Sequence, residues 1–180
     1  QLHVGPFPNS SLLMIDKVIK TENDRTWCCW TPEPLPFDHL VSHRWSRIGF
    51  YSSSFKSEID LSPYTYQMIR GIDFYQHTLD VLHRAPEVTF LQSTVTTIDN
   101  HEDHAVVRTD DGAYRSSWVF DSLFLPEDFR ADTEHYHYLM QHFRGWEIKT
   151  QEPVFDTSVA TLFDFRTDSD NDMRFVYVLP

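Results

Sequence analysis

Glycine is scarce in this sequence, with five in 180 residues and nowhere a Gly-x-Gly-x-x-Gly. A dinucleotide's pyrophosphate normally rests on such a loop at a helix N-terminus, where small residues let backbone amides come close. The chain does not supply that cradle itself. Cysteine is scarcer still: Cys28 and Cys29 stand side by side. Neighbouring cysteines seldom bridge, because closing the ring distorts the peptide between them. Both read as reduced thiols of a cytosolic protein. A metal would need further ligands, and no second cysteine pair exists to give them. Positive charge is also short: 15 Lys and Arg against 27 Asp and Glu leave a net −12. That balance repels phosphate backbones, so no nucleic-acid partner is expected, and it speaks against a polybasic membrane anchor. No apolar run approaches the ~20 residues of a bilayer-crossing helix. The start, Gln1-Leu2-His3-Val4-Gly5-Pro6, has no signal-peptide pattern and no Met, which points to trimming.

Aromatic residues, by contrast, are plentiful: 14 Phe, 8 Tyr and 5 Trp. They suit a large core, and equally a site for a large apolar ligand. Leu12-Leu13-Met14-Ile15 is a continuous apolar run ending in Asp16, the pattern of a buried parallel strand. An acid in that place holds the adenosine ribose in dinucleotide-binding folds. It is also an ordinary surface position just past a strand, and both roles stay open for Asp16. Thr31 to Pro36 reads as a proline-rich loop, Asp38 to Arg47 as a short helix, and Ile48 to Lys56 as extended chain. Met68, Ile72, Tyr75, Leu79 and Leu82 make one stripe, which predicts a helix over Tyr66 to Arg84.

Val88 to Leu91 is the next strand. A meander follows: Ser93 to Ile98, Ala105 to Thr109, then Ala113 to Phe120 after the hairpin signal Asp110-Asp111-Gly112. Tyr138 to Thr150 alternates only partly, with a bend expected at Arg144-Gly145. Ala160 to Arg166 and Arg174 to Leu179 read as strands around an acidic turn at Asp168 to Asp172. A buried strand so near the start and an unclosed sheet at the end predict an interior piece of a larger protein.

Three blocks then take on meaning together: Asn23-Asp24-Arg25-Thr26-Trp27-Cys28-Cys29-Trp30, Tyr66-Gln67-Met68-Ile69-Arg70-Gly71-Ile72-Asp73-Phe74-Tyr75, and the set Gln141-His142-Phe143-Arg144-Gly145-Trp146-Glu147-Ile148, Ala160 to Arg166 and Phe175 to Pro180. In this order they resemble the lycopene cyclase family, whose members usually have Phe at Cys29 and Met at Phe163. The sequence lacks the Arg-Gly that some cyclases carry near Val119 to Ser122. It also lacks the family's Gly-rich loop and ends before a glutamate often taken as catalytic.

The resemblance implies an α/β (α+β) fold. Residues 1–37 and 86–125 would be parts of a Rossmann-like FAD-binding domain with a β-meander. Residues 38–85 would be an intervening helical segment, and 126–180 part of an antiparallel-sheet substrate-binding lobe. It implies reduced FAD with NADPH as electron source, and lycopene or a related linear carotenoid as substrate. The enzyme would be an isomerase-type β-cyclase, cytoplasmic and peripheral to the inner or plasma membrane. The 180-residue piece alone would be inactive and hold FAD weakly or not at all. Other readings are an FAD-dependent isoprenoid hydroxylase or reductase, or a non-catalytic carotenoid- or lipid-binding relative.

Cyclisation begins with a proton given to an alkene, which requires a carboxylic acid kept neutral by burial. Asp164, between Phe163 and Phe165, is the candidate acid. Period-2 alternation places it with Arg166, away from both phenylalanines, so a structural Asp–Arg pair is the other reading. Arg25 and Asp121 join Asp16 as cofactor-binding candidates. Their plain alternatives are a surface arginine and a strand-terminal turn. Trp146, Phe163 and Phe165 are the substrate-binding candidates, with core packing as the alternative. Arg70 and Asp73 lie three apart on one helix face, with a mutual ion pair as their plain reading. His135 and His137, with Glu134 and His142, do not amount to an expected metal site.

Overall fold

The computed structural model describes residues 10–123, 132, 134–137, 139, 141–168 and 173–180. Its elements in chain order are β1 (Leu12–Asp16), β2 (Thr26–Thr31), a one-turn 3-10 helix (Asp38–Leu40), β3 (Val41–Trp45), β4 (Arg47–Tyr51), β5 (Lys56–Asp60), β6 (Thr65–Arg70), α1 (Gly71–His83), β7 (Val88–Gln92), β8 (Val95–Asn100), β9 (Ala105–Thr109), β10 (Gly112–Ser116), β11 (Val159–Asp164) and β12 (Val176–Val178). The fold combines α and β structure but is mostly sheet, with one α-helix among the described residues. The chain divides into two units, one running to Gln92 and resuming at Pro153, the other spanning Ser93–Glu152.

In the first unit β1 pairs with β7 in parallel, Leu12 opposite Val88 through Asp16 opposite Gln92. The apolar run at the start is therefore the parallel strand that its composition predicts. A second sheet has the order β2-β6-β3 and a third β12-β11-β4-β5. In the third, β11 runs parallel to β4 and antiparallel to β12, so this sheet is mixed rather than purely antiparallel. Chain continuity links the two sheets: β3 leads into β4 and β5 into β6, and the Leu61 amide donates to the Ser46 carbonyl at 2.9 Å where both bend.

The core lies among these strands. Trp45 and Ala160 are fully buried, Tyr66 and Leu162 nearly so, with Cys28, Ile48, Leu61, Met68 and Leu179 packed around them. Removing one such large apolar side chain from water contributes roughly 1.5–3 kcal/mol.

Three sequence expectations change here. The helix predicted from Tyr66 begins at Gly71, because residues 65–70 are the central strand β6, bonded to β2 on one side and β3 on the other. Tyr66 and Met68 then face the core while Ile69 turns to the other face, where Trp27 of β2 meets Phe74 of α1 at 5.6 Å. A central strand with both faces covered is continuously apolar, and its spacing can imitate a helix stripe. The helix expected over Asp38 to Arg47 is one 3-10 turn followed by β3, since Trp45 reaches the core from a strand. The segment 38–85 thus holds four strands and α1. The extended stretch Ile48 to Lys56 is a hairpin, turned where the Ser52 amide donates to the Phe55 carbonyl at 2.7 Å.

The second unit carries the meander, in the order β10-β9-β8. Asp110 and Asp111 form the predicted two-residue turn, with Thr109 opposite Gly112. The third strand stops at Ser116 rather than reaching Phe120. There the Ser116 hydroxyl donates to the Trp118 carbonyl at 2.7 Å and accepts from its amide at 3.3 Å, turning the chain out of the ladder. Residues 141–150 are exposed and have no regular structure. Residues 169–172 of the expected acidic turn lie outside the described residues.

Candidate functional site

A bulge in β11 shapes the site. Thr161 pairs with Gly49, but Phe163 pairs with Phe50, so Leu162 is the extra residue. Bulges of this kind re-aim side chains. Here Phe163 comes to lie beside Phe50, on the face away from Asp164.

That face gathers rings from distant parts of the sequence. Phe163 and Phe165 have planes 4° apart and centroids at 6.1 Å. Phe50 lies 5.6 Å from the first and 5.7 Å from the second, and Phe175 5.1 and 5.5 Å. Phe55 adds an edge contact to Phe50 at 5.8 Å. Phe163 is 38% exposed and Phe55 53%, so the cluster opens to the surface.

The opposite face is charged. Asp164 pairs with Tyr51 in the ladder, and its carboxylate accepts from Arg166 Nε at 2.8 Å and Nη2 at 2.7 Å. The guanidinium lies 4.7 Å above the Tyr51 ring, and Lys56 Nζ is 5.8 Å from the same ring. A half-open cleft of about 240 Å³ runs here, lined by Tyr51, Lys56, Glu58, Val159, Thr161 and Arg166. The bonds from Arg166 hold the Asp164 carboxyl below the usual carboxylate range. Burial, helped by Glu58, pushes the Tyr51 phenol up. Asp164 is therefore paired with Arg166, the structural pairing that strand alternation allows.

A third feature spans the second and third sheets. The phenol oxygens of Tyr66 and Tyr177 lie 2.5 Å apart, and the Tyr177 hydroxyl donates to Cys28 Sγ at 3.6 Å. Trp30 lies 4.4 Å from the Tyr66 ring. Burial pushes the Tyr66 phenol up to about 12 and raises Tyr177 as well, so both remain neutral phenols at physiological pH.

Of the cofactor candidates, Asp16 and Arg25 belong to the first unit. Asp16 ends β1, half-buried, and accepts only from the Val18 amide, at 3.0 Å, among the described residues. Arg25 is exposed and 3.8 Å from Asp24; its carbonyl accepts from the Gly71 amide at 2.7 Å. No hydrogen bond or ion pair joins Asp16 to Arg25. Asp121 and Trp146 belong to the second unit. The Asp121 carboxylate accepts from the Leu123 amide at 2.7 Å in a turn, and Trp146 is 76% exposed. Of the substrate candidates the structure brings together Phe163 and Phe165, on the face that Asp164 does not share.

Arg70 and Asp73 do pair, with bonds at 2.7 and 2.9 Å. His135 contacts Asp132 at 2.9 Å, and the described residues hold no group of three or more His, Cys, Asp or Glu placed to bind a metal. Sequence reasoning did not find Phe50, Phe55, Phe175 or the Tyr66–Tyr177 contact. No periodicity links them; only the strand register brings them together.

An open face of phenylalanines suits a large apolar ligand rather than a sugar or a phosphate. The family model described as lycopene cyclase protein matches residues 8–180, and the chain belongs to that family of carotenoid-biosynthesis enzymes. No curated protein matches the chain at a significant level. Among the described residues, no helix is long and apolar enough to cross a membrane.

Proposed function

We propose that the protein is a flavin-dependent lycopene β-cyclase. It closes the linear ends of lycopene into β-rings by proton addition, without net electron transfer. The single observation that carries this is the family match over residues 8–180. The exposed phenylalanine face agrees with a hydrocarbon substrate.

In this reading FAD meets the chain at its nucleoside end. The β1–β7 pair runs parallel, as the strands of a Rossmann-like domain do, and we assign Asp16, at the C-terminal end of β1, to a ribose hydroxyl. The sequence has no Gly-x-Gly-x-x-Gly run for a pyrophosphate, so the proposal assigns a partner only to the nucleoside end of the dinucleotide. Arg25 and Asp121 are proposed as further cofactor contacts. When bound and reduced by NADPH, a flavin supplies electron density beside a developing cation.

This chain's own residues do the rest of what is proposed. Phe163 and Phe165 hold the polyene end against an apolar face, with Trp146 as a further substrate contact. Asp164 fixes Arg166 over Tyr51 and so keeps charge on the far side of the sheet. The enzyme works from the cytoplasm at the membrane surface, where lycopene dissolves.

The test supplies the full-length protein with lycopene, FAD and NADPH and separates the carotenoids by chromatography. β-Carotene or its one-ring intermediate is expected. A folded, flavin-loaded protein that leaves lycopene unchanged would overturn the proposal. Lycopene bound without turnover would favour a carotenoid-binding relative, and an oxygenated or hydrogenated product a hydroxylase or reductase.

A further inference from the structure

We infer that Phe50, Phe163, Phe165 and Phe175 form the wall that stabilises the carbocation of ring closure. This rests on the cyclase function proposed above. In that reaction a neutral carboxylic acid gives a proton to the terminal alkene of the substrate. The electron pair of the neighbouring alkene forms the ring bond, and positive charge moves to a ring carbon. Loss of a proton from the ring to a base restores a double bond, so atoms and electrons balance as an isomerisation.

The intermediate is a bare cation, and its surroundings must attract charge without capturing it. A carboxylate in direct contact with the cationic carbon would trap it as an ester. Phenylalanine faces carry negative quadrupole density and no reactive lone pair. The four rings stand within 5.1–6.1 Å of one another in every contact they make. They come from β4, from β11 and the residue after it, and from the residue before β12, so the bulge at Leu162 is what assembles them.

Charge complementarity follows from the two faces of the sheet. The Asp164 carboxylate and the Arg166 guanidinium are bonded to each other on the Tyr51 side. The aromatic side is thus kept free of that anion, which would quench the cation, and of that cation, which would repel it. Phe163 is 38% exposed on this side, so a ligand can reach its ring.

The experiment places a series of fluorinated phenylalanines at position 163 and, separately, at 165 in the full-length protein. Fluorine drains the ring face while barely changing its shape. Turnover of lycopene is measured beside KM and the thermal melt. We expect kcat to fall stepwise with each added fluorine, by about tenfold or more across the series, with KM and melting little changed. Phe163→Leu and Phe165→Leu, which keep an apolar side chain but no π face, should fall by a similar factor. A kcat indifferent to fluorination in a folded, active protein would overturn the inference. If the unmodified protein forms no cyclised product at all, the cyclase function fails first and this inference falls with it.

Discussion

The carboxylate of Asp164 holds the guanidinium of Arg166 by two bonds, Nε to Oδ1 at 2.8 Å and Nη2 to Oδ2 at 2.7 Å. Arg166 in turn covers the Tyr51 ring at 4.7 Å. The proposal gives an acid so engaged a positioning role. Asp164→Asn should therefore keep lycopene turnover within about tenfold of the parent, whereas deleting a general acid or base typically costs ~10²–10⁴. Steady-state rates on the full-length protein check this. A loss beyond a hundredfold in a folded variant would make Asp164 the proton donor after all.

Acid should unfold the protein partly through this same carboxylate. The folded pKa of Asp164 lies below its unfolded value, chiefly through the bonds from Arg166. Asp103, bonded to His104, and Asp156, bonded to Ser158, are lowered too. Between folded and unfolded values the folded state binds fewer protons. Their contribution is therefore complete above the unfolded pKa, about 3.9, and is lost as pH falls through the folded values. Denaturant midpoints should be flat near neutrality and drop below about pH 4. Asp164→Asn should make that drop shallower.

Gly71 is packed against backbone. A Cβ there would stand 2.7 Å from the Arg25 carbonyl oxygen, the atom that accepts from the Gly71 amide. Alanine is the better helix former, but the clash wins because main chain cannot swing aside. Gly71→Ala should destabilise by about 1–3 kcal/mol. Gly145, with nothing within 4 Å, is the control. There alanine should stay within about 0.5 kcal/mol. Chemical denaturation of both variants decides it.

Trp45 is fully buried, and its indole Nε1 has no hydrogen-bond partner among the described residues. Trp45→Ala should cost about 3–5 kcal/mol through the cavity it leaves. Trp45→Phe should cost clearly less, because it removes the unpaired N–H while keeping most of the ring. Equal losses on thermal unfolding would show that the N–H is satisfied in solution.

Much of the strand content was legible in the sequence. The runs Leu12 to Asp16, Val88 to Leu91 and Ala160 to Asp164 and the turn at Asp110-Asp111 carry short-range signals of burial and turn chemistry. Met68 misled, because a strand bonded on both edges and covered on both faces loses the period-2 alternation that would set it apart from a helix. Asp38 to Arg47 misled similarly, its mixed residues belonging to one 3-10 turn and a strand that buries Trp45. The Asp164–Arg166 pair was readable because both partners lie on one strand face. The ring cluster was not, because Phe50 meets Phe163 only through a parallel pairing with a one-residue bulge. Local pattern cannot encode such a register.

Cyclisation in deuterated water tests the central claim most directly. A proton-initiated, non-redox closure must take hydrogen from solvent and leave the count of electrons unchanged. Mass spectrometry of the β-carotene formed should show solvent deuterium in each new ring, while NADPH consumption fails to keep pace with ring formation. Rings formed without solvent deuterium, or one NADPH oxidised for every ring, would contradict it.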